Sequence, residues 1–452
     1  MPSTASVTNL ASLLSAAIAE AGDRGMPRPS AQEVESATFL VFYAMTASSR
    51  NYHGLDHIFT VGAGLTALGR LAAIFHDVVY FKVDGGFPPH VEERIGDVIE
   101  QRNGRVYLTA TPEAMVSDLA TIFDFKAGQE LNPYGGLNEL LSAALAIREL
   151  KRFLNKKDLW AVAACIELTI PFRKTITGCS PSVRLGKRLE LLCDGNTKLS
   201  RDEIDSILAL AVQMANTDLH SFSEPELSRF LENTWKLLPE INPDFQTVGT
   251  YTIGEYCRSL MRMENFLTNL DPGVIFHQHN ATPGIDTLNT LNTQATFNLR
   301  YASEYLRAKI VTMSVLQGIA ELTGCDGPIS YFTGAANSDQ PQIHDLLQPP
   351  ELSTTASPPE LKVHVLQILQ NGRSGTIQFD TSSSPLAAYF YRLLGSVEIT
   401  RQAGRVREVY AGKQDWAWLL SDLPRAMVDD VAAAIGKIAI ARQDGIRNFL
   451  SR

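Results

Sequence analysis

The sequence has few cysteines, no long apolar run and no excess of positive charge, and each absence excludes a class of protein. Its five cysteines among 452 residues show no Cys-x-x-Cys spacing, which argues against a zinc ribbon and against a disulfide framework. No apolar run reaches the roughly 18 residues that a membrane-spanning helix needs. The formal net charge of −9 gives no sign of general nucleic-acid binding. We therefore expect a cytoplasmic globular protein without a membrane segment.

Strand-like alternation is also scarce over the first 270 residues, where apolar side chains recur at helical spacing. This pattern predicts a mainly α protein whose helical domain spans residues 1–270, with residues 91–101 among its helices. Residues 271–355 predict a helical extension and a linker, and residues 356–452 predict a small α/β module. The segments of that module that read as strands are 362–369, 375–379, 396–400 and 406–410.

Two stretches place ionisable side chains beside strongly apolar ones. His53 and His57 are four residues apart and would share one face of a helix that the pattern extends to Leu68. Further along, His76 and Asp77 directly follow an apolar run. A buried charge needs a partner or a metal ion. With one further carboxylate, these residues predict a divalent-metal site and a metal-dependent hydrolase.

The order of these motifs resembles the HD superfamily of metal-dependent phosphohydrolases. The segment YHGLDH at 52–57, followed by FHDVVY at 75–80, is similar to an uncharacterised branch whose members read Tyr-His-Asn-x-x-His and later Phe-His-Asp-x-Val-Tyr. The resemblance covers about residues 35–270 and implies an HD-type helical bundle. It says nothing about the C-terminal third of the chain.

The resemblance also implies a set of metal ligands. His57 would be the first ligand, and His76 with Asp77 would be the tandem pair. Asp218 stands in the segment NTDL, which matches an Asp-x-Asp-Leu segment that carries the last acid in the branch. The implied cofactor is a divalent cation, with Mn, Mg, Fe, Zn, Ni and Co all open. The implied activity is that of a phosphohydrolase or phosphodiesterase acting on a nucleotide or another small phosphoester.

Three further residues are candidates for proton transfer. Because the Tyr-His-x3-His start resembles the motif of cyclic-nucleotide phosphodiesterases, His53 is predicted to protonate the leaving oxygen. Its alternative role is to support a metal ligand. Glu92 and Glu93 resemble an acidic pair that the branch carries at the start of its next helix, where one would orient the attacking water. Their alternative is a pair of carboxylates favoured at a helix N-terminus.

Three cations are candidates for binding the phosphate. Arg50 would grip it as a fork donor, although a surface arginine is the simpler interpretation. Lys82 would help to neutralise its charge. Arg173 lies where relatives place Thr-x-x-His, and here Phe172 stands at the histidine position. This departure predicts an altered pocket in which Arg173 contacts the phosphate.

Two rival functions stay open. Tyr80 follows Asp77 by three residues, where one related branch carries a glutamate, so the chain could be a catalytically degenerate HD domain that binds a nucleotide as a signal. Its C-terminal module would then be an output, oligomerisation or partner-binding piece. A di-iron oxygenase needs more histidines between Asp77 and Asp218, an interval in which the sequence has His90 alone.

Overall fold

The computed structural model is mainly helical, which confirms the predicted α class. It describes residues 4–22, 26–194, 197–242, 245, 251–334, 341–348, 359–375, 377 and 379–451. The chain divides into two compact units. The first comprises Met1–Ser223 with Asp271–Gln294, and the second comprises Glu224–Leu270 with Ala295–Arg452. This division differs from the boundaries expected at 270 and 355. Most of the expected linker, residues 349–358, lies outside the described residues.

The first unit contains ten helices among its described residues. They are α1 (Thr4–Ala21), α2 (Ala31–Met45), α3 (Leu55–Gly62), α4 (Ala67–Phe75), α5 (Pro89–Ile95), α6 (Ala114–Phe123), α7 (Leu137–Leu150), α8 (Lys156–Leu168), α9 (Pro181–Leu189) and α10 (Arg201–Asp218). Short 3₁₀ helices follow at His220–Ser223 and Pro272–Val274.

The core of this unit is built around α8. Every residue from Trp160 to Leu168 is buried, and α8 packs against α4, α7 and α10. Residues Leu71 to Phe75 of α4 are buried as well, so the apolar run becomes a core helix. Since α3 packs against both α4 and α10, the ends of these helices lie close together in the interior.

The helix expected to run from His57 to Leu68 is two helices. α3 ends at Gly62, and Gly64 adopts the left-handed region with φ 73°, where a residue without a Cβ has no steric cost. Thr66 then caps α4 by accepting a hydrogen bond from the backbone N–H of Gly69. The chain therefore turns between the helices, and the prediction of one continuous helix was wrong.

A small antiparallel sheet interrupts the helices of the first unit. Its strands are β1 (Ile99–Arg102), β2 (Arg105–Leu108) and β3 (Glu130–Leu131), in that order. Asn103 and Gly104 form the turn with φ values of 51° and 73°, as a two-residue hairpin turn requires. The helix predicted over 91–101 was therefore wrong beyond α5, and the Asn-Gly pair was the signal against it. A second hairpin consists of β4 (Cys193–Asp194) and β5 (Thr197–Lys198).

The regular elements that the structure describes in the second unit are all helices. Its helices are α11 (Leu227–Ile241), α12 (Ile253–Asn269), α13 (Ile285–Thr323, from residue 295 onward), α14 (Ile329–Thr333), α15 (Pro359–Asn371), α16 (Pro385–Tyr410), α17 (Trp416–Ser421), α18 (Arg425–Ile438) and α19 (Gln443–Leu450). Short 3₁₀ helices lie at Ile343–Leu346 and Ile440–Arg442. None of the helices that the structure describes is both long and apolar enough to cross a membrane.

The predicted α/β character of the C-terminal module was wrong. The segment 362–369 lies in α15, and the segments 396–400 and 406–410 lie in α16. In α15, Val365, Leu366 and Leu369 are buried while the side chain of Val363 is exposed, which is helical spacing and not alternation. Packing of this face overrides the preference of valine for strands. The segment 375–379 includes residues 376 and 378, which lie outside the described residues.

A buried ionic cluster holds the second unit together. Asp380 accepts hydrogen bonds from the indole of Trp235 and the hydroxyl of Tyr256, each at 2.7 Å, and from Nζ of Lys309 at 2.8 Å. Burial alone would raise the pKa of Asp380, but Lys309 and Arg373 lower it below its ordinary value. These hydrogen bonds satisfy the carboxylate of Asp380 and join the loop after α15 to α11, α12 and α13.

Candidate metal centre

Four side chains of the first unit converge on one point. His57, His76, Asp77 and Asp218 each offer one ligand atom, and these atoms all lie within 4.8 Å of one another. They are the four residues that the resemblance implied as ligands. Two imidazole nitrogens and two carboxylate oxygens suit several divalent cations and leave positions for water or substrate. The residues present therefore fit a divalent metal ion.

Helix ends deliver these four side chains. His57 lies in the first turn of α3, and Asp218 is the last residue of α10. His76 caps the C-terminus of α4, and its backbone N–H still bonds to the carbonyl of Ala72 at 2.9 Å. The next turn is tighter, with the N–H of Val78 on the carbonyl of Phe75 at 3.1 Å. Helix α4 thus ends in a turn that brings both members of the tandem pair to the centre.

The distances fix which imidazole nitrogen faces the centre. Nδ1 of His76 lies 2.8 Å from the carbonyl of Ala73 and donates to it, so Nε2 is the nitrogen that a metal ion would bind once the ring is neutral. That Nε2 lies 3.1 Å from Oδ2 of Asp77 and 3.3 Å from Nε2 of His57. Nε2 of His57 is in turn 2.9 Å from Oδ1 of Asp218. A backbone carbonyl behind a ligand histidine is a usual arrangement at metal sites.

The electrostatics of the centre are those of tightly paired opposite charges. Burial alone would lower the pKa of both histidines, but bonding to Asp218 and Asp77 raises the pKa of His57 to about 9. The same carboxylates raise the pKa of His76 well above its ordinary value. Burial would raise the pKa of each carboxyl, yet the histidines hold the pKa of Asp218 at about 2 and that of Asp77 well below its usual range. A cation that binds here would therefore displace protons from the two histidines.

The centre opens to solvent on its carboxylate side. The side chains of Asp77 and Asp218 are 20% and 14% exposed, whereas those of His57 and His76 are 7% and 1% exposed.

His53 lies beside the centre although it precedes α3. Its ring centroid is 5.5 Å from that of His57 and 4.8 Å from that of Tyr80, edge-on to each. The charge of His53 also lowers the pKa of Asp77, by less than the two ligand histidines do, whereas burial raises it. Tyr52 packs against the ring of His57 and donates a hydrogen bond to Ser221 at 2.9 Å. His53 therefore lies among aromatic rings directly beside a ligand histidine.

Arg50 is buried and supports the tandem pair from behind. Its side chain is 0% exposed and forms an ion pair with Asp84 at 2.6 Å. The same guanidinium donates to the backbone carbonyls of Asp77 and Val78, the latter at 3.1 Å. It therefore holds the backbone of a ligand residue in place. Its predicted contact with phosphate stays a prediction.

Arg50→Lys is expected to weaken metal binding by about 10- to 100-fold, because a lysine cannot reproduce the fork that holds Asp84 and the carbonyl of Asp77 together. Titration with Mn²⁺ or Zn²⁺ would measure the change. Arg70→Lys is the matched control, since Arg70 pairs with Glu20 at the surface. Equal metal affinity in both variants would contradict a supporting role for Arg50.

Arg173 is tied to a buried glutamate. The side chain of Glu167 is 0% exposed and pairs with Arg173 and with Arg188, the latter at 2.7 Å. Phe172 packs edge-on against Phe222 of the 3₁₀ helix that follows α10, with ring centroids 5.5 Å apart. An apolar contact thus occupies the position at which the resemblance led us to look for a histidine.

The segment 271–294 contributes a third buried histidine to the first unit. The backbone of His277 exchanges two hydrogen bonds with the side chain of Asn216, at 2.7 and 2.9 Å. Burial, then the charge of Arg173 and a smaller one of Arg184, lowers the pKa of His277 to about 4 against the opposing effect of Glu167. His277 is therefore neutral in the folded protein at neutral pH.

This histidine should make the protein acid-sensitive. Its pKa is about 6.5 when unfolded and about 4 when folded, so protons favour the unfolded chain as the pH falls from 6.5 towards 4. The stability lost in that window is about 3 kcal/mol at most, since one pKa unit corresponds to about 1.4 kcal/mol. His277→Asn should reduce the difference in unfolding free energy between pH 7 and pH 4.5, whereas a change at the exposed His220 should not. Identical pH dependence in wild type and His277→Asn would contradict this.

The remaining predicted residues lie at the surface. Glu92 and Glu93 are exposed on α5, and Glu92 accepts a hydrogen bond from Gln101 at 3.0 Å. Lys82 is exposed in the turn after Phe81. The structure does not bring these three side chains into contact with the four ligands, and their roles stay predictions.

Comparison of the chain with protein-family models, with curated proteins and with solved structures gave no match in any of the three. The functional interpretation therefore depends on the residues themselves.

Glu139 is a charged neighbour of the centre that the sequence did not indicate. It lies in the first turn of α7, and its Oε2 is buried without a hydrogen-bond partner among the described residues. Burial raises the pKa of Glu139 to about 7, with further increases from Asp77 and Asp218 and opposing effects from its own backbone N–H and Arg173. Its carboxyl group is thus within electrostatic reach of two metal ligands. No motif marks it, because only packing brings α7 to this place.

Proposed function

We propose that the first unit is an HD-type metal-dependent phosphohydrolase that acts on a nucleotide or another small phosphoester. The observation that supports this is the convergence of His57, His76, Asp77 and Asp218 within 4.8 Å at the ends of three helices. A divalent cation bound there would polarise a phosphoryl oxygen and lower the pKa of a bound water. The partly exposed aspartates give a phosphoester access to such an ion.

The chain's own residues supply the other requirements of hydrolysis. His53 stands beside the ligands and, in its protonated form, donates a proton to the leaving oxygen. Arg173 is 20% exposed, and the charge of its guanidinium reaches Glu139 near the centre, so it neutralises phosphate charge on that side. Arg50 keeps the backbone of Asp77 in position.

The experiment is metal analysis of the purified protein together with phosphate release from a panel of nucleotides and phosphomonoesters, with Mn²⁺ added. We expect about one equivalent of metal and release from at least one class of substrate, in keeping with a single four-residue site. Absence of metal, even after reconstitution, would reject the site. A chelator-treated sample is the control, and its activity should return when Mn²⁺ is restored.

A second function is favoured by two specific contacts. Tyr80, three residues after Asp77, packs against His53, and Phe172 packs against Phe222. Position 80 carries a tyrosine in place of the glutamate, and position 172 a phenylalanine in place of the histidine, that the HD resemblance would supply. The alternative is a degenerate HD domain that binds a nucleotide as a signal. Bound metal and micromolar nucleotide affinity without any turnover would favour it.

A further inference from the structure

Helix α7 is fastened directly to the segment that follows the tandem pair. The backbone N–H of Val79 donates to Oγ of Ser142, and that of Phe81 donates to Oδ1 of Asn138, each at 3.0 Å. Glu139 lies between these two contacts, three residues before Ser142 and so on the same helix face. The first turn of α7 therefore places this carboxyl group against the stretch that begins with the metal ligands.

One oxygen of the Glu139 carboxyl group has no task that its contacts reveal. Its Oε2 is shielded from solvent and accepts no hydrogen bond from any described residue. Leaving a buried polar atom unpaired is costly, so such an atom calls for an explanation. The charges of Asp77 and Asp218 raise its pKa, and the charge of Arg173 lowers it. It thus lies in the field of both carboxylate ligands and of the proposed phosphate contact.

We propose that Glu139 is the proton acceptor of this hydrolysis and takes a proton from water as that water attacks phosphorus. The proposal depends on the function proposed above and adds a residue to it. A base for this step must lie close to the reacting atoms and must be ionised near neutral pH. A pKa close to that pH also gives it the strongest basicity that is compatible with being ionised. The pKa of Glu139 is about 7 and its carboxyl group lies in the field of both carboxylate ligands, whereas Glu92 and Glu93 are exposed on α5.

The step balances in atoms and protons. The water oxygen forms a bond to phosphorus while one of its protons passes to the carboxylate of Glu139. The bond from phosphorus to the leaving oxygen breaks, and that oxygen takes a proton from His53. One proton then moves through solvent from Glu139 to His53, which restores both side chains and leaves an alcohol and a phosphate as products.

Glu139→Gln tests the proposal because it keeps the shape of the side chain and removes its basicity. We expect kcat to fall by about 10²- to 10⁴-fold at unchanged metal content, with loss of the acid limb of the pH profile of kcat/KM. Glu149→Gln, on the same helix and in an ion pair with Arg94, is the matched control and should keep full activity. Infrared difference spectra of the metal-free protein add a readout that is independent of turnover. A carboxylic acid that titrates near pH 7 should be present in wild type and missing in Glu139→Gln.

The outcomes separate this inference from the function beneath it. Full activity of Glu139→Gln beside an active wild type would overturn the proton acceptor and leave the hydrolase standing. Loss of metal from Glu139→Gln would also overturn it, because Glu139 would then hold the ion. A wild type that binds metal and hydrolyses nothing would reject the function and the inference together.

Discussion

Asp77→Asn is expected to lower metal affinity by more than about 100-fold and to abolish phosphate release. Residues that merely support metal ligands already contribute about 10- to 100-fold, and Asp77 supplies a ligand atom directly. The amide keeps the shape of the side chain but loses the negative charge that offsets the cation. Its Oδ2 lies 3.1 Å from Nε2 of His76 and 3.4 Å from Nε2 of His57, so no other carboxylate can replace it without rearrangement. Metal titration and phosphate release would be measured on the same preparations.

Asp56→Asn is the matched control for this variant. Asp56 precedes His57 in the first turn of α3 but is exposed, so its replacement should leave metal content and turnover unchanged. Retention of stoichiometric metal by Asp77→Asn would contradict the four-residue site. Loss of metal from a protein whose wild type never released phosphate would instead favour the signal-binding alternative.

Three of the four ligands carry a local signal in the sequence. His57 and the tandem pair stand among apolar residues, and a buried charge needs a partner or a metal ion. Asp218 was assigned only because its segment resembles the one that carries the last acid in the HD branch. The structure brings these residues together as the sequence suggested. The metal itself, the activity and the HD assignment stay predictions.

Residues that act through packing were harder to predict. Arg50 was proposed as a phosphate contact, yet its side chain is fully buried against Asp84 and the backbone of the tandem pair. Glu139 stands far from the motifs in sequence and reaches the centre because α7 bonds to Val79 and Phe81. Neither contact produces a periodic pattern in the sequence, so residue spacing could not predict it.

The fold was predictable in class and less so in detail. The buried residues of α10 follow helical spacing, the kind of pattern that made the first 270 residues recognisable as helical. The same spacing in α15 was mistaken for alternation because valines stand at 363 and 365, and burial at 365, 366 and 369 decides the matter. The hairpin at 99–108 was missed although its Asn-Gly turn is a strong local signal.

Glu167→Gln is expected to destabilise the first unit by about 3–5 kcal/mol, the cost of breaking a buried ion pair from one side. Burial would raise the pKa of Glu167, but Arg173 and then Arg188 hold it below its ordinary value, so the carboxylate is ionised between two guanidinium groups. The amide would leave both cations close together without a countercharge. Urea unfolding at pH 7 would measure the loss.

Glu190→Gln is the control for this effect. Glu190 pairs with Arg201 at the surface, where the two side chains are 49% and 78% exposed, and such pairs contribute about 0–1 kcal/mol. Adding Arg173→Gln to Glu167→Gln should restore part of the lost stability, because one of the two unpaired cations is then removed. If the double variant is no more stable than Glu167→Gln, charge repulsion is not the cause of the loss. Arg173 is also the proposed phosphate contact. The unfolding free energy recovered in the double variant therefore measures how strongly Glu167 holds Arg173 in place.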